Sequence, residues 1–99
     1  MNKLWTDDGL ADYLYWQSQD KKTLKRINEL IKDIERNGAL NGIGKPEALK
    51  YRKGFSRRID ETNRLVYAID ENGVLWIISC RGHLEDIIKI IFIIKKSGT

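Results

Sequence analysis

Ninety-nine residues suffice for one compact domain and not comfortably for two. Apolar residues make up 41% of the chain and charged residues 32%, which excludes the composition of a disordered segment. The net charge of +4 favours a polyanionic or acidic partner, although small basic proteins are common and charge alone does not decide.

Lys3-Leu4-Trp5 is short and apolar and predicts a first strand near the N-terminus. Thr6 is placed to cap a following helix, with Asp7 and Asp8 in its first turn, where the helix dipole favours negative charge. Leu10, Tyr13 and Leu14 continue it at helical spacing, and Asp20 is a second N-cap. Leu24, Ile27, Leu30, Ile31 and Ile34 then form one apolar stripe, which Asn37-Gly38 ends. The two helices are expected to form a hairpin.

Residues 38–54 change character. Four glycines and the only proline lie here, together with Lys45, Glu47 and Lys50, and they predict a long loop of the kind that often serves function. Three strands are expected next, at Phe55–Asp60, Arg64–Ile69 and Val74–Arg81. A tight turn at Glu61-Thr62-Asn63 joins the first two and Asp70–Gly73 the last two. Leu65, Tyr67 and Ile69 alternate with Arg64, Val66 and Ala68, one set on each face of the sheet. The order β-α-α-β-β-β describes an α+β domain with the helical hairpin on one face of a largely antiparallel sheet. Residues 84–99 are read as an apolar extension that packs on the domain 1–83 or on a partner chain; the run is too short to span a bilayer.

The chain has one cysteine, Cys80, so no internal disulfide can form, and the N-terminus lacks the apolar run of a signal peptide. A cytoplasmic protein without membrane association is expected. One His and one Cys leave little for a metal site, and neither metal nor cofactor is expected. Cys80 reads as a buried strand residue, Trp76 as core, and Tyr13, Tyr15 and Trp16 as core or dimer contacts.

Glu47, Arg58, Arg64 and His83 are individually ordinary: a loop carboxylate, two cations on a sheet face and a histidine near a strand end. Together they are chemically coherent. RNA is cleaved without metal when its 2′-OH attacks the adjacent phosphate, which requires a base, an acid and cations for the phosphorane charge. A free Glu titrates at about 4.3 and a free His at about 6.5, so Glu47 suits the base and His83 the acid. Arg64 and Arg58 match phosphate oxygens in geometry.

Several stretches carry a resemblance. Asp12-Tyr13-Leu14-Tyr15-Trp16-Gln17, Lys25-Arg26-Ile27-Asn28-Glu29-Leu30-Ile31-Lys32-Asp33, Gly44-Lys45-Pro46-Glu47, Leu49-Lys50, Ser56-Arg57-Arg58-Ile59 and Asn63-Arg64-Leu65-Val66-Tyr67 occur in the order found in the YoeB/Txe toxins of the RelE superfamily. The chain resembles that family from about residue 3 to 83. The resemblance implies a RelE-like microbial RNase fold and a type II toxin that cuts mRNA on the ribosome without metal. It also implies a YefM-like antitoxin, operator DNA reached through the antitoxin complex, and a possible homodimer. By motif, Glu47 is the general base, His83 the general acid, Arg64 a catalytic cation, and Lys50, Arg58 and Lys45 contact the substrate. Family members usually end in His-Tyr, whereas here Leu84 follows His83 and fifteen more residues run to Thr99. The loop before Phe55 is shorter than the family norm, and the usual Trp before Ser56 is absent. The departures imply a weakened nuclease, or a superfamily protein that acts by binding antitoxin or another protein target, as ParE-type toxins act on gyrase.

Overall fold

The computed structural model describes residues 1–82. His83, Leu84 and the expected extension 84–99 lie outside the described residues. Strands β1 (Lys3–Trp5), β2 (Glu47–Ala48), β3 (Phe55–Arg58), β4 (Arg64–Ile69) and β5 (Leu75–Ser79) form one sheet in the order β1-β5-β4-β3-β2. Helices α1 (Asp7–Gln19) and α2 (Lys21–Asn37) pack on one of its faces. The β1–β5 pair is parallel and the other three pairs are antiparallel, so the sheet is mixed and largely antiparallel, as the pattern predicted.

Both caps form where the sequence put them. Thr6 Oγ1 accepts the Gly9 N–H at 3.0 Å, and Asp20 Oδ1 accepts those of Lys22 at 3.0 Å and Thr23 at 3.3 Å. The α2 stripe of Ile27, Leu30, Ile31 and Ile34 is buried against Leu65, Tyr67, Leu75 and Ile77 of the sheet, with Cys80 at its edge. The inner face of α1 is less greasy than its sequence suggested. Tyr13 and Trp16 reach the core, while Leu10 and Leu14 are 46% and 51% exposed. Gly9 lets α1 approach β5, because a Cβ there would lie 2.3 Å from the Ile77 carbonyl oxygen.

Three further differences follow from local geometry. Glu47 and Ala48 are not loop but a short edge strand paired with Ser56 and Phe55. Trp76 is not core: Leu75 and Ile77 take the inner face, and Trp76, half-buried opposite Ala68, donates its indole N–H to Asp70 Oδ2 at 2.9 Å. Strands β3 and β5 each stop two residues short of expectation, and the β4–β5 register shifts between Val66 and Tyr67.

Candidate functional site

The loop after α2 is aimed by its backbone. Gly44 and Lys45 both take positive φ, 82° and 49°, and the Gly44 carbonyl accepts the Arg58 N–H at 2.7 Å. A side chain at Gly44 would press on Leu30 and on the Arg58 carbonyl, so glycine is required by space as well as by φ. Pro46 then leads directly into β2, which places Glu47 opposite Ser56.

Register does the rest. Phe55, Arg57 and Ile59 alternate toward the helices, with Arg57 opposite Leu65. Ser56 and Arg58 therefore take the outer face, the one away from the helices, with Val66 and Arg64 opposite them; Ser56 and Val66 are buried on it, so the two arginines lie at its accessible edge. Glu47 shares this face through its pairing with Ser56. Glu47 thus lies about 7–8 Å diagonally from Arg58, a separation long side chains can bridge. Arg58 and Arg64 face each other directly, and like charges in that position repel unless an anion sits between them. Glu47 and Arg58 are exposed and Arg64 is half-buried. Lys45 precedes Glu47 by two residues and Lys50 follows it by three, and both are exposed. Lys50 lies in the Leu49–Gly54 loop, which closes through a 3.0 Å bond from Leu49 N–H to the Gly54 carbonyl. The only ion pairs among the described residues are Lys3–Glu35 and Arg57–Asp33, so none involves these five side chains.

Arg64 is oriented by the turn before it. Its Nη1 donates to the carbonyls of Asp60 at 2.6 Å and Asn63 at 3.0 Å. Its own N–H donates to the Gly82 carbonyl at 3.1 Å, so the last described residue before His83 is bonded to β4. Burial raises the Asp60 carboxyl, but hydrogen bonds from the Asn63 amide and from the N–H groups of Asn63 and Thr62, helped by the Arg64 charge, hold it below the ordinary range.

The end of β5 is clamped by α1. Asp12 Oδ2 accepts the Cys80 N–H at 2.9 Å, the Trp16 indole donates to the Cys80 carbonyl at 2.8 Å, and the Arg81 guanidinium lies 3.6 Å above the Tyr15 ring. Burial raises the Asp12 carboxyl despite that N–H. Burial, with the Asp12 charge, pushes the Cys80 thiol up to about 12, so it is a poor nucleophile. Among the described residues no group of three His, Cys, Asp or Glu side chains could hold a metal ion.

The sequence reading missed Arg57. It is wholly buried and spends all five N–H donors: Nε on the Tyr67 hydroxyl, Nη1 on Asp33 and the Ile43 carbonyl, Nη2 on the carbonyls of Gly38 and Asn41. It holds the 38–43 loop that delivers Lys45 and Glu47. The alternation Phe55-Arg57-Ile59 was the available signal.

Residues 5–84 match the family described as YoeB-like toxins of bacterial type II toxin-antitoxin systems. The chain is 51% identical over 85 residues to the toxin YoeB of Escherichia coli strain K12, covering 84% of this chain and 99% of that one. The fold is similar to that of YoeB in a YoeB–YefM complex from Staphylococcus aureus, with a TM-score of 0.77 and 48% identity over 84% of this chain and 97% of that one. A YoeB dimer from the same organism gives a TM-score of 0.78 at 48% identity and the same coverage.

Proposed function

The chain belongs to the YoeB-like toxins of bacterial type II toxin-antitoxin systems, and on that premise we propose that it is an endoribonuclease that cuts mRNA on the translating ribosome. The observation that carries this reading is the outer sheet face, where Arg58 and Arg64 oppose each other one pleat away from Glu47. A phosphodiester placed there relieves the repulsion of the two guanidiniums and presents its 2′-OH toward a carboxylate.

The reaction then balances as follows. Glu47 accepts the 2′-OH proton as that oxygen attacks phosphorus. Arg64 and Arg58 neutralise the phosphorane oxygens, and Lys45 and Lys50 hold the neighbouring backbone. His83, the residue after Gly82, gives its proton to the departing 5′-oxygen. The products are a 2′,3′-cyclic phosphate and a free 5′-hydroxyl. The Staphylococcus aureus YoeB–YefM complex and YoeB dimer support a YefM-like antitoxin and a second copy as partners of this chain, and operator DNA would be reached through that antitoxin complex. A ribosome-directed toxin works in the cytoplasm, and no helix among the described residues is long and apolar enough to cross a membrane.

The test is to add the purified chain to translating ribosomes and map mRNA ends. Cleavage in the A site that disappears in both Glu47→Ala and His83→Ala supports the reading. Leu84 in place of an aromatic favours a second one, a family member that binds its antitoxin or another protein target with little or no cutting. Intact message alongside a stable antitoxin complex would select it.

A further inference from the structure

The β3–β4 turn carries more side-chain hydrogen bonds than its closure needs. It is closed by the backbone, through the Ile59 N–H on the Asn63 carbonyl at 3.0 Å, and by Asp60, whose Oδ1 accepts the backbone N–H of Thr62 at 2.8 Å and of Asn63 at 2.6 Å. The Asn63 amide is used elsewhere. Its Nδ2 donates to both Asp60 oxygens, at 3.2 and 3.0 Å, which fixes the amide plane. Its Oδ1 then accepts the Gly82 N–H at 2.8 Å. The Gly82 carbonyl in turn accepts the Arg64 N–H, and the Asn63 carbonyl accepts one of the two bonds from Arg64 Nη1.

We propose that Asn63 is a positioning residue of the cleavage site, tying the Arg64 guanidinium and the Gly82 peptide to one turn. The proposal rests on the reading of Arg64 and His83 as reacting groups. Two acceptors, the Asp60 and Asn63 carbonyls, consume the Nη1 protons and set the plane of the guanidinium, which leaves Nε and Nη2 for a phosphate. Gly82, at φ 101°, belongs to the residue type with the widest backbone freedom and would act as a swivel if untied. Holding the Gly82 peptide removes that swivel from the backbone that leads into residue 83. Asparagine suits the task because its side chain donates to Asp60 and accepts from Gly82 at once. A displacement of about 1 Å at a reacting group can cost about 100-fold in rate.

The experiment measures single-turnover cleavage on ribosomes by the full chain. Asn63→Ala is expected to lower kcat by about 100-fold with KM for the ribosome unchanged. The exchange Asp60→Asn with Asn63→Asp swaps donor and acceptor while keeping the tie to Gly82, and it is expected to restore most of the rate. His83 is the only histidine, so its imidazole C–H resonances report on it directly. They are expected to move in Asn63→Ala and return in the exchange. If Asn63→Ala does not fold, Asn63→Asp alone replaces it: it opposes two carboxylates, and the expected loss is again recovered by the exchange. Wild-type rates with unmoved resonances in the single variant would overturn the proposal, and so would an exchange that stays slow. If Arg64→Ala and His83→Ala themselves cut like wild type, the reading beneath it fails, and that result is distinct from the other two.

Discussion

Arg57 is a buried cation whose cost is met in full, one acceptor for each of its five protons, with the Asp33 carboxylate as its counter-charge. Removing one partner of a buried pair typically costs about 3–5 kcal/mol, a large share of the stability of a small domain. Arg57→Met is therefore expected to lower the urea midpoint by that equivalent and to expose the 38–43 amides to hydrogen exchange. Wild-type exchange in that loop would sink the account. Arg57→Lys should not rescue it, because an ammonium has three donors where five are used. The Cys80 thiol, pushed to about 12, should resist iodoacetamide in the native protein at pH 8 and react after unfolding; rapid native labelling would contradict the burial that causes the shift. Sequence made the outer cations visible and hid the inner one. Arg58 and Arg64 fit the expected sorting of charge to an exposed sheet face, whereas a buried arginine runs against it and its acceptors come from a loop with no periodicity to read.

At the scale of elements, caps and periodic stripes were legible because each is decided within a few residues. Thr6, Asp20 and the α2 stripe from Ile27 to Ile34 behaved as written, while Leu24 at the start of the stripe is only half-buried. Which way α1 faces was not legible, since Leu10 and Leu14 have helical spacing yet point outward. That orientation is set by the contact of α1 with β5, where Gly9 sits against the Ile77 carbonyl. Gly9→Ala therefore sets two effects against each other. Alanine gains about 1 kcal/mol of helix propensity over glycine. Its methyl meets backbone oxygen at 2.3 Å, and forcing atoms into a packed site costs about 1–3 kcal/mol. Backbone cannot rotate aside as a side chain can, so the clash should win. The expected result is a Tm lower by several degrees in calorimetry, and a Tm raised by the substitution would show that α1 can lift off without loss. The strand β2 escaped the sequence reading for a related reason. Two residues carry no detectable alternation, and only pairing with β3 makes Glu47 part of the sheet.

The whole molecule responds to pH through its aspartates. Asp33, Asp60, Asp20 and Asp70 are all held below the ordinary value of 3.8. Burial raises Asp33 and Asp60, but hydrogen bonds outweigh it; for Asp20 and Asp70 the bonds from Thr23 and Trp76 dominate outright. A carboxyl whose folded value is depressed stabilises the fold at pH above its unfolded value, and that stability is lost as pH falls through the folded value. Asp12 has the opposite sign: its raised value disfavours the fold at neutral pH and is relieved on acidification. Four groups against one, together with a net charge that climbs above +4 as carboxylates protonate, predict net loss of stability between pH 5 and pH 2. Urea midpoints measured across that range should fall, and Asp33→Asn should flatten the fall while lowering the midpoint at pH 7. A midpoint that does not change with pH would mean that the aspartate network forms equally in the unfolded chain. The Asp60 contribution has a local consequence as well. The carboxylate that titrates there closes the turn holding Arg64 and Gly82, so acid should release that exposed turn before the apolar cluster around Ile27, Leu30 and Ile34, which meets a titrating carboxylate only at its rim, through Asp33 and Arg57. Residue-resolved hydrogen exchange followed as pH is taken below 3.8 would show it as early exposure of the Thr62, Asn63 and Gly82 amides, with Leu30 and Ile34 still protected.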